Sequence, residues 1–246
     1  QEIGALVDKA AWQSAHYAGR LYGIPGDQSQ TVMFYRADLF ERYGLLPPVT
    51  WDQFYEEGVA LHARNPGRYM GLIDTTDVQH YLASFRSSDV KLWTVEDDST
   101  ITFHMTDEPA RIIADFIQQG IDAGVLNAEP MWDNRYMLPK SGTYLTVTYA
   151  NWLGKILASS YPADKGLWKV ALPPGVIDPS QVRTAEIGGS TLAMSAGLPR
   201  IRQQAALTFM RWFQLDPASI ELRAPGGVSA AAGYVEDLTR RGTTDP

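Results

Sequence analysis

Residues 21–51 read LYGIPGDQSQTVMFYRADLFERYGLLPPVTW, and this stretch decides the fold. Gly23 and Pro25 break the chain ahead of Gly26-Asp27-Gln28-Ser29-Gln30, a run of mostly hydrogen-bonding side chains. The next residues, TVMFY (31–35), are rich in β-branched and aromatic side chains and predict a strand. ADLFERYG (37–44) has the spacing of a short amphipathic helix that Gly44 can end. Pro47 and Pro48 stop further helix. Thr50 then starts a second helix: its hydroxyl can accept from the Gln53 amide while the Gln53 side chain reaches back to it, as in a capping box. Strand, helix, proline turn and capped helix in that order belong to an α/β protein.

The alternation continues outward. YMGLI (69–73) predicts a strand, followed by a helix with Val78, Tyr81, Leu82 and Phe85 on one stripe and Thr75 or Thr76 near its cap. Residues 95–110 read as a turn, a short strand and a helix start, after which Ala110, Ile113, Ala114 and Ile117 carry one apolar stripe towards Gly124. TYLTVTY (143–149), LWKVALPPG (167–175) and the glycine-containing IGGSTLAMS (187–195) are strand-like, with the helix LGKILASS after the first of them. Pro199 opens the last long helix, whose inner face should hold Ala205, Ala206, Phe209, Met210 and Phe213.

Bulk composition narrows the classes. The 246 residues are 45% hydrophobic, enough for one large domain or two small ones, and no long apolar run predicts a membrane span. With 28 acidic and 21 basic residues the net charge is −7, which leaves no electrostatic footprint for nucleic acid. The absence of cysteine excludes thiol catalysis, disulfides and thiolate metal sites. His16, His62, His80 and His104 lack metal-ligand spacing, so no metal or cofactor is expected. No G-x-S-x-G, H-E-x-x-H, Walker or G-x-G-x-x-G motif is present. Carboxylates are plentiful, and composition alone leaves a glycosidase pair open. The 7 Trp, 12 Tyr and 8 Phe suit either an ordinary core or rings that stack on the C–H faces of a sugar.

The order Tyr22-Gly23-Ile24-Pro25, then Tyr35-Arg36-x-Asp38-Leu39-Phe40, then Gly44-Leu45 and Pro47-Pro48-x-Thr50-Trp51-Asp52-Gln53-Phe54, resembles the inter-lobe crossover of family 1 extracellular solute-binding proteins. These are the sugar-binding subunits of ABC importers. Arg36 stands where Asn is usual and Gln53 where Glu is usual. The resemblance implies a two-lobe, periplasmic-binding-protein-like (type II) α/β fold with discontinuous lobes and hinge crossover strands. On that map residues 1–28 and 190–246 belong to the first lobe and residues 29–189 make most of the second. The family's opening and closing elements have no counterpart, so the fold is expected to be incomplete. The implied function is capture of a mono- or oligosaccharide in an inter-lobe cleft, hinge closure, and delivery to ABC transporter permease subunits. Such a protein is extracytoplasmic (periplasmic or lipid-anchored), monomeric and not an enzyme. The alternatives are a carbohydrate-active enzyme, or a binding protein for another solute such as a glycerol phosphoester.

The resemblance also implies site residues, each with a plainer alternative. Asp27, Gln28 and Ser29 at the first crossing offer a carboxylate, an amide and a hydroxyl to sugar hydroxyls, or form a polar hinge loop. Trp152, with Asn151 beside it, falls where the family's tryptophan stacks on the sugar; the alternative is an aromatic cap on the following helix. Gly188, Gly189 and Ser190 match the second crossover, where glycine lets the backbone approach a ligand closely or simply serves a hinge. Gln79, His80 and Tyr81 open the helix that faces the cleft in relatives, although His80 suits a surface or cap role equally. Trp132 and Arg135 are candidates for the rim of the second lobe, and Gly226 and Gly227 resemble a first-lobe loop.

Overall fold

The β-rich run at 31–35 forms the central strand of the largest sheet in the computed structural model, which describes residues 3–88, 90–96, 99–132, 142–174, 185–223 and 229–231. In chain order the elements begin with α1 (Lys9–Ser14), β1 (His16–Tyr17), β2 (Arg20–Leu21), β3 (Ile24–Pro25), β4 (Thr31–Arg36), α2 (Ala37–Tyr43) and α3 (Trp51–Arg64). Next come β5 (Gly71–Asp74), α4 (Val78–Ser87), β6 (Trp93–Val95), β7 (Ile101–Phe103), α5 (Glu108–Asp122) and β8 (Leu126–Glu129). The chain continues with β9 (Thr146–Ala150), α6 (Leu153–Ser160), β10 (Trp168–Ala171), β11 (Thr191–Leu192), α7 (Arg200–Leu215) and α8 (Pro217–Arg223). Among the described residues no helix is long and apolar enough to cross a membrane.

The chain divides into two compact units, one of residues 1–29, 151–156 and 188–246, the other of residues 30–150 and 157–187. In the second unit β4 lies between β10 and β9, antiparallel to both, and β5 pairs in parallel with β8. Backbone bonds from Leu145 N to Tyr69 O and from Thr146 N to Met70 O tie β9 to the start of β5. The core of this unit is Leu39, Phe40, Phe54, Leu61, Met70, Ile73, Val125, Leu126 and Leu145, contributed by α2, α3 and the strands. Gly58 lets α3 press against it: a Cβ there would stand 2.5 Å from Val125 Cγ1. The first unit has a smaller cluster, Val7, Ala11 and Ala230, with Trp12 and Leu215 packed around it.

Arg36, at the end of β4, is buried yet charged, and its charge is matched. Its guanidinium makes paired bonds of 2.8 and 2.7 Å to the Asp38 carboxylate, lies 3.5 Å from Asp164, and sits over the Trp168 ring. The hydrogen bonds and charge of Asp38 hold Arg36 above its ordinary pKa, and Arg36 holds the Asp38 carboxyl below its own.

Several local expectations need correction. Thr50 does accept from Gln53 N at 3.1 Å, but the Gln53 side chain reaches one residue further, accepting from Val49 N at 2.9 Å. Its amide nitrogen donates to Glu57 Oε1, one helical turn on, which sets that orientation. Asp77, not Thr75 or Thr76, caps α4, because its Oδ1 accepts from Gln79 N at 2.9 Å. That start rotates the buried face to His80 and Ala83 and leaves Val78 exposed. Ala114 of α5 is also exposed. In α7, Met210 and Gln214 are buried while Phe209 is exposed. Gln214 packs directly against Gly26, where a Cβ would lie 2.4 Å from its amide nitrogen.

Candidate ligand-binding site

At the first crossing the structure joins residues distant in sequence. Asp27 Oδ1 accepts a hydrogen bond of 2.6 Å from Ser190 N and another from the Ser190 hydroxyl. Asp27 also forms a bridge with Ser229, and Gly26 N donates to Ser190 O at 2.8 Å. Gly188 and Gly189 precede that contact at φ +91 and +98, a conformation that an L side chain rarely adopts. The atom nearest a Cβ on Gly188 would be Ser29 Oγ, and on Gly189 the Asp27 carbonyl oxygen. Asp27, Ser29, Gly188, Gly189 and Ser190 therefore come together in the first unit. Gln28 stands apart from them, because its side chain donates to Asp8 Oδ1 at 2.7 Å, the same oxygen that caps α1.

Asn151 and Trp152 are half-buried and belong to the same compact unit as Asp27. The register supplies the reason. Antiparallel pairing sets Ala150 opposite Thr31, so β9 runs back to the start of β4, next to the point where the chain changes unit. Arg135, Gly226 and Gly227 lie outside the described residues.

In the second unit the candidate residues gather around Tyr149, which in the sequence is merely one residue of a predicted strand. The Tyr149 hydroxyl donates to Asp77 Oδ2, and burial together with that carboxylate pushes its pKa well above the ordinary phenol value. Trp132 lies edge-on to Tyr149 with ring centroids 5.7 Å apart, and His80 does the same from another side at 5.6 Å. His80 is no surface group. It is 5% exposed, its Nδ1 accepts from Asp74 N at 3.2 Å, and burial depresses its pKa and favours the neutral ring. Tyr81 is half-buried against the core, and desolvation raises its pKa.

Asp74 is a further member that the sequence pattern did not single out. It is fully buried at the end of β5, where Oδ1 accepts from Thr76 N, the Thr76 hydroxyl and Met131 N at 2.9, 2.7 and 3.1 Å. Its Oδ2 is buried without a hydrogen-bond partner. The carboxylate thus ties the loop before α4 to the segment carrying Trp132. A strand ending in Asp and followed two residues later by Thr is the available sequence signal, an Asx-turn pattern. The site offers aromatic faces, carboxylates held by backbone donors, and hydroxyls, which is the chemistry that recognises polyols. Among the described residues no group of three or more His, Asp or Glu is placed to hold a metal ion.

Comparison with known proteins agrees with the fold. The chain is 36% identical over 63 residues to a lactose-binding protein from Rhizobium radiobacter, a match that spans 24% of this chain and 15% of that one. The structure superposes with a TM-score of 0.81 on an ABC transporter-associated binding protein from B. animalis subsp. lactis Bl-04 solved with β-1,6-galactobiose. That match is 23% identical and covers 96% of this chain and 59% of the other. The galacto-N-biose/lacto-N-biose I-binding protein from Bifidobacterium longum, solved with lacto-N-biose, gives a TM-score of 0.79 at 23% identity over 94% of this chain and 57% of that one. The chain thus spans less than two-thirds of the length of these solved relatives, and its α/β fold is theirs. The family model described as bacterial extracellular solute-binding protein matches residues 1–219, and the chain belongs to that extracytoplasmic family of binding proteins.

Proposed function

We propose that this polypeptide captures a mono- or oligosaccharide and delivers it, chemically unchanged, to the permease subunits of an ABC transporter. The observation that carries the reading is half-buried Trp132 near Asp77 at the capped start of α4, the two joined through the buried Tyr149, whose ring meets the indole edge-on and whose hydroxyl donates to Asp77. Rings of this kind pack on the apolar face of a sugar while the carboxylate accepts from its hydroxyls. Asp27, Ser29, Gly188, Gly189, Ser190, Asn151 and Trp152 are the proposed contributors from the first unit. The relatives solved with β-1,6-galactobiose and lacto-N-biose, and the one named for lactose, support a saccharide ligand. The protein would work as a monomer at the outer face of the cell membrane, periplasmic or lipid-anchored, without catalysis.

The test is a thermal-shift and calorimetric screen of the 246-residue chain against lactose, β-1,6-galactobiose, lacto-N-biose and a glycerol phosphodiester. A ligand that binds only the folded state raises the melting temperature by mass action. The expected result is a shift with at least one saccharide, an affinity weaker than micromolar, and loss of the shift in Trp132→Ala. A response confined to the phosphodiester, or hydrolysis of an oligosaccharide, would overturn the reading.

A further inference from the structure

The second unit contains a cavity of about 200 Å³ walled by α3, α4, α5 and the strands beneath them. Trp51, Phe54, Ile73, Ile113, Phe116 and Leu126 supply its apolar surface. Trp51 meets Phe54 and Phe116 edge-on at 5.2 and 5.7 Å, so the wall presents aromatic edges and faces together.

Five polar residues of the lining have spent hydrogen bonds elsewhere, and Asp52, also in the lining, is exposed to solvent. Thr31 Oγ1 donates to Ala185 O and Thr146 Oγ1 to Met70 O. The Ser87 and Ser88 hydroxyls both donate to Ser84 O, at the C-terminal end of α4. His80 Nδ1 accepts from Asp74 N. A sugar in this space would surrender hydroxyl bonds to water and regain few, whereas an apolar ring would lose none. Dry cavities of roughly 150 Å³ lined by Leu, Ile and Phe take up benzene.

We propose that this cavity is a binding site for a small aromatic molecule, one ring in size and lacking hydrogen-bonding substituents; His80 is the residue it shares with the candidate site around Tyr149. Toluene is the probe, added at saturating concentration to the 246-residue chain. It should raise the melting temperature by roughly 3 °C and give NMR cross-peaks from its protons to the Ile113 methyls.

Ala83 and Ser84, both on α4, line the cavity, and Ala83→Leu and Ser84→Leu fill it from the helix side. Ser84 is only half-buried and Leu is the better helix former, so this second variant folds even if the first is overpacked. Both should lose the toluene response. The proposal fails if toluene leaves the wild-type melting temperature unchanged, or if the shift persists undiminished in Ser84→Leu.

Discussion

His80 shows how one side chain can hold a position by being denied a charge. Burial lowers its pKa from the ordinary 6.5, so the folded protein takes up its proton later than the unfolded chain does as the pH falls. Stability from this group is fully present above pH 6.5 and is lost as the pH drops below it, by up to about 1.4 kcal/mol per pH unit. The groups facing it are Asp74, Asp77, Tyr81, Tyr149 and the Thr148 backbone. Urea titrations at pH 7 and pH 5 should therefore show a fall in unfolding free energy that is smaller in His80→Gln. An equal fall in both proteins would show that His80 does not titrate on unfolding. In the sequence His80 is one of four scattered histidines, and nothing local distinguishes it. One of the groups packed against it, Tyr149, is 69 positions away, and only the folded chain brings it near. The sequence pattern singles out Asp27 and Ser190 separately, but their mutual bond spans 163 positions and leaves no local trace.

At the scale of an element, α3 shows a conflict between helix preference and packing. Glycine within a helix is ordinarily replaced by alanine with a gain of about 1 kcal/mol. Gly58 reverses that rule, because the added methyl would lie 2.5 Å from Val125 Cγ1 and 3.2 Å from Met70 Cβ. Overpacking of a well-filled core costs about 1–3 kcal/mol, so Gly58→Ala should be destabilised by about 1 kcal/mol on balance. The measurement is the urea midpoint, which should fall with an unchanged m-value; a higher midpoint would show that Val125 yields. The existence of α3 was plain from Thr50 and Gln53, since capping is a local interaction. The faces of α4 and α7 were harder, because the buried side depends on what packs there. A polar residue, Gln214, takes an inner position in α7 because Gly26 leaves room for it.

At the scale of the whole molecule the two units differ in how much they bury. The second has an extended core beneath α2 and α3, while the cluster in the first is built on Val7, Ala11 and Ala230. On α7, Ile201 is 77% exposed, Phe209 54% and Trp212 48%, so that helix gains little from its apolar side chains. Amide exchange in increasing urea should release the α7 amides before those of β4 and β9. Loss of protection at one common midpoint would mean that the units unfold as a single cooperative body. The fold class was readable because the crossover pattern at 22–54 is continuous in sequence. Where the chain returns to the first unit at Asn151 was not readable, since strand register sets it.

Gly188 and Gly189 separate two properties that usually travel together, room and permitted rotation. A methyl at either position would meet nothing nearer than 3.8 Å and 3.6 Å respectively, yet both residues turn at positive φ. Bulk is therefore no guide to what this corner tolerates, and handedness is. In a chemically synthesised chain, a D-alanine at 188 would match the torsion that an L-alanine resists, and comparing the two isomers would weigh backbone strain with atomic composition held constant.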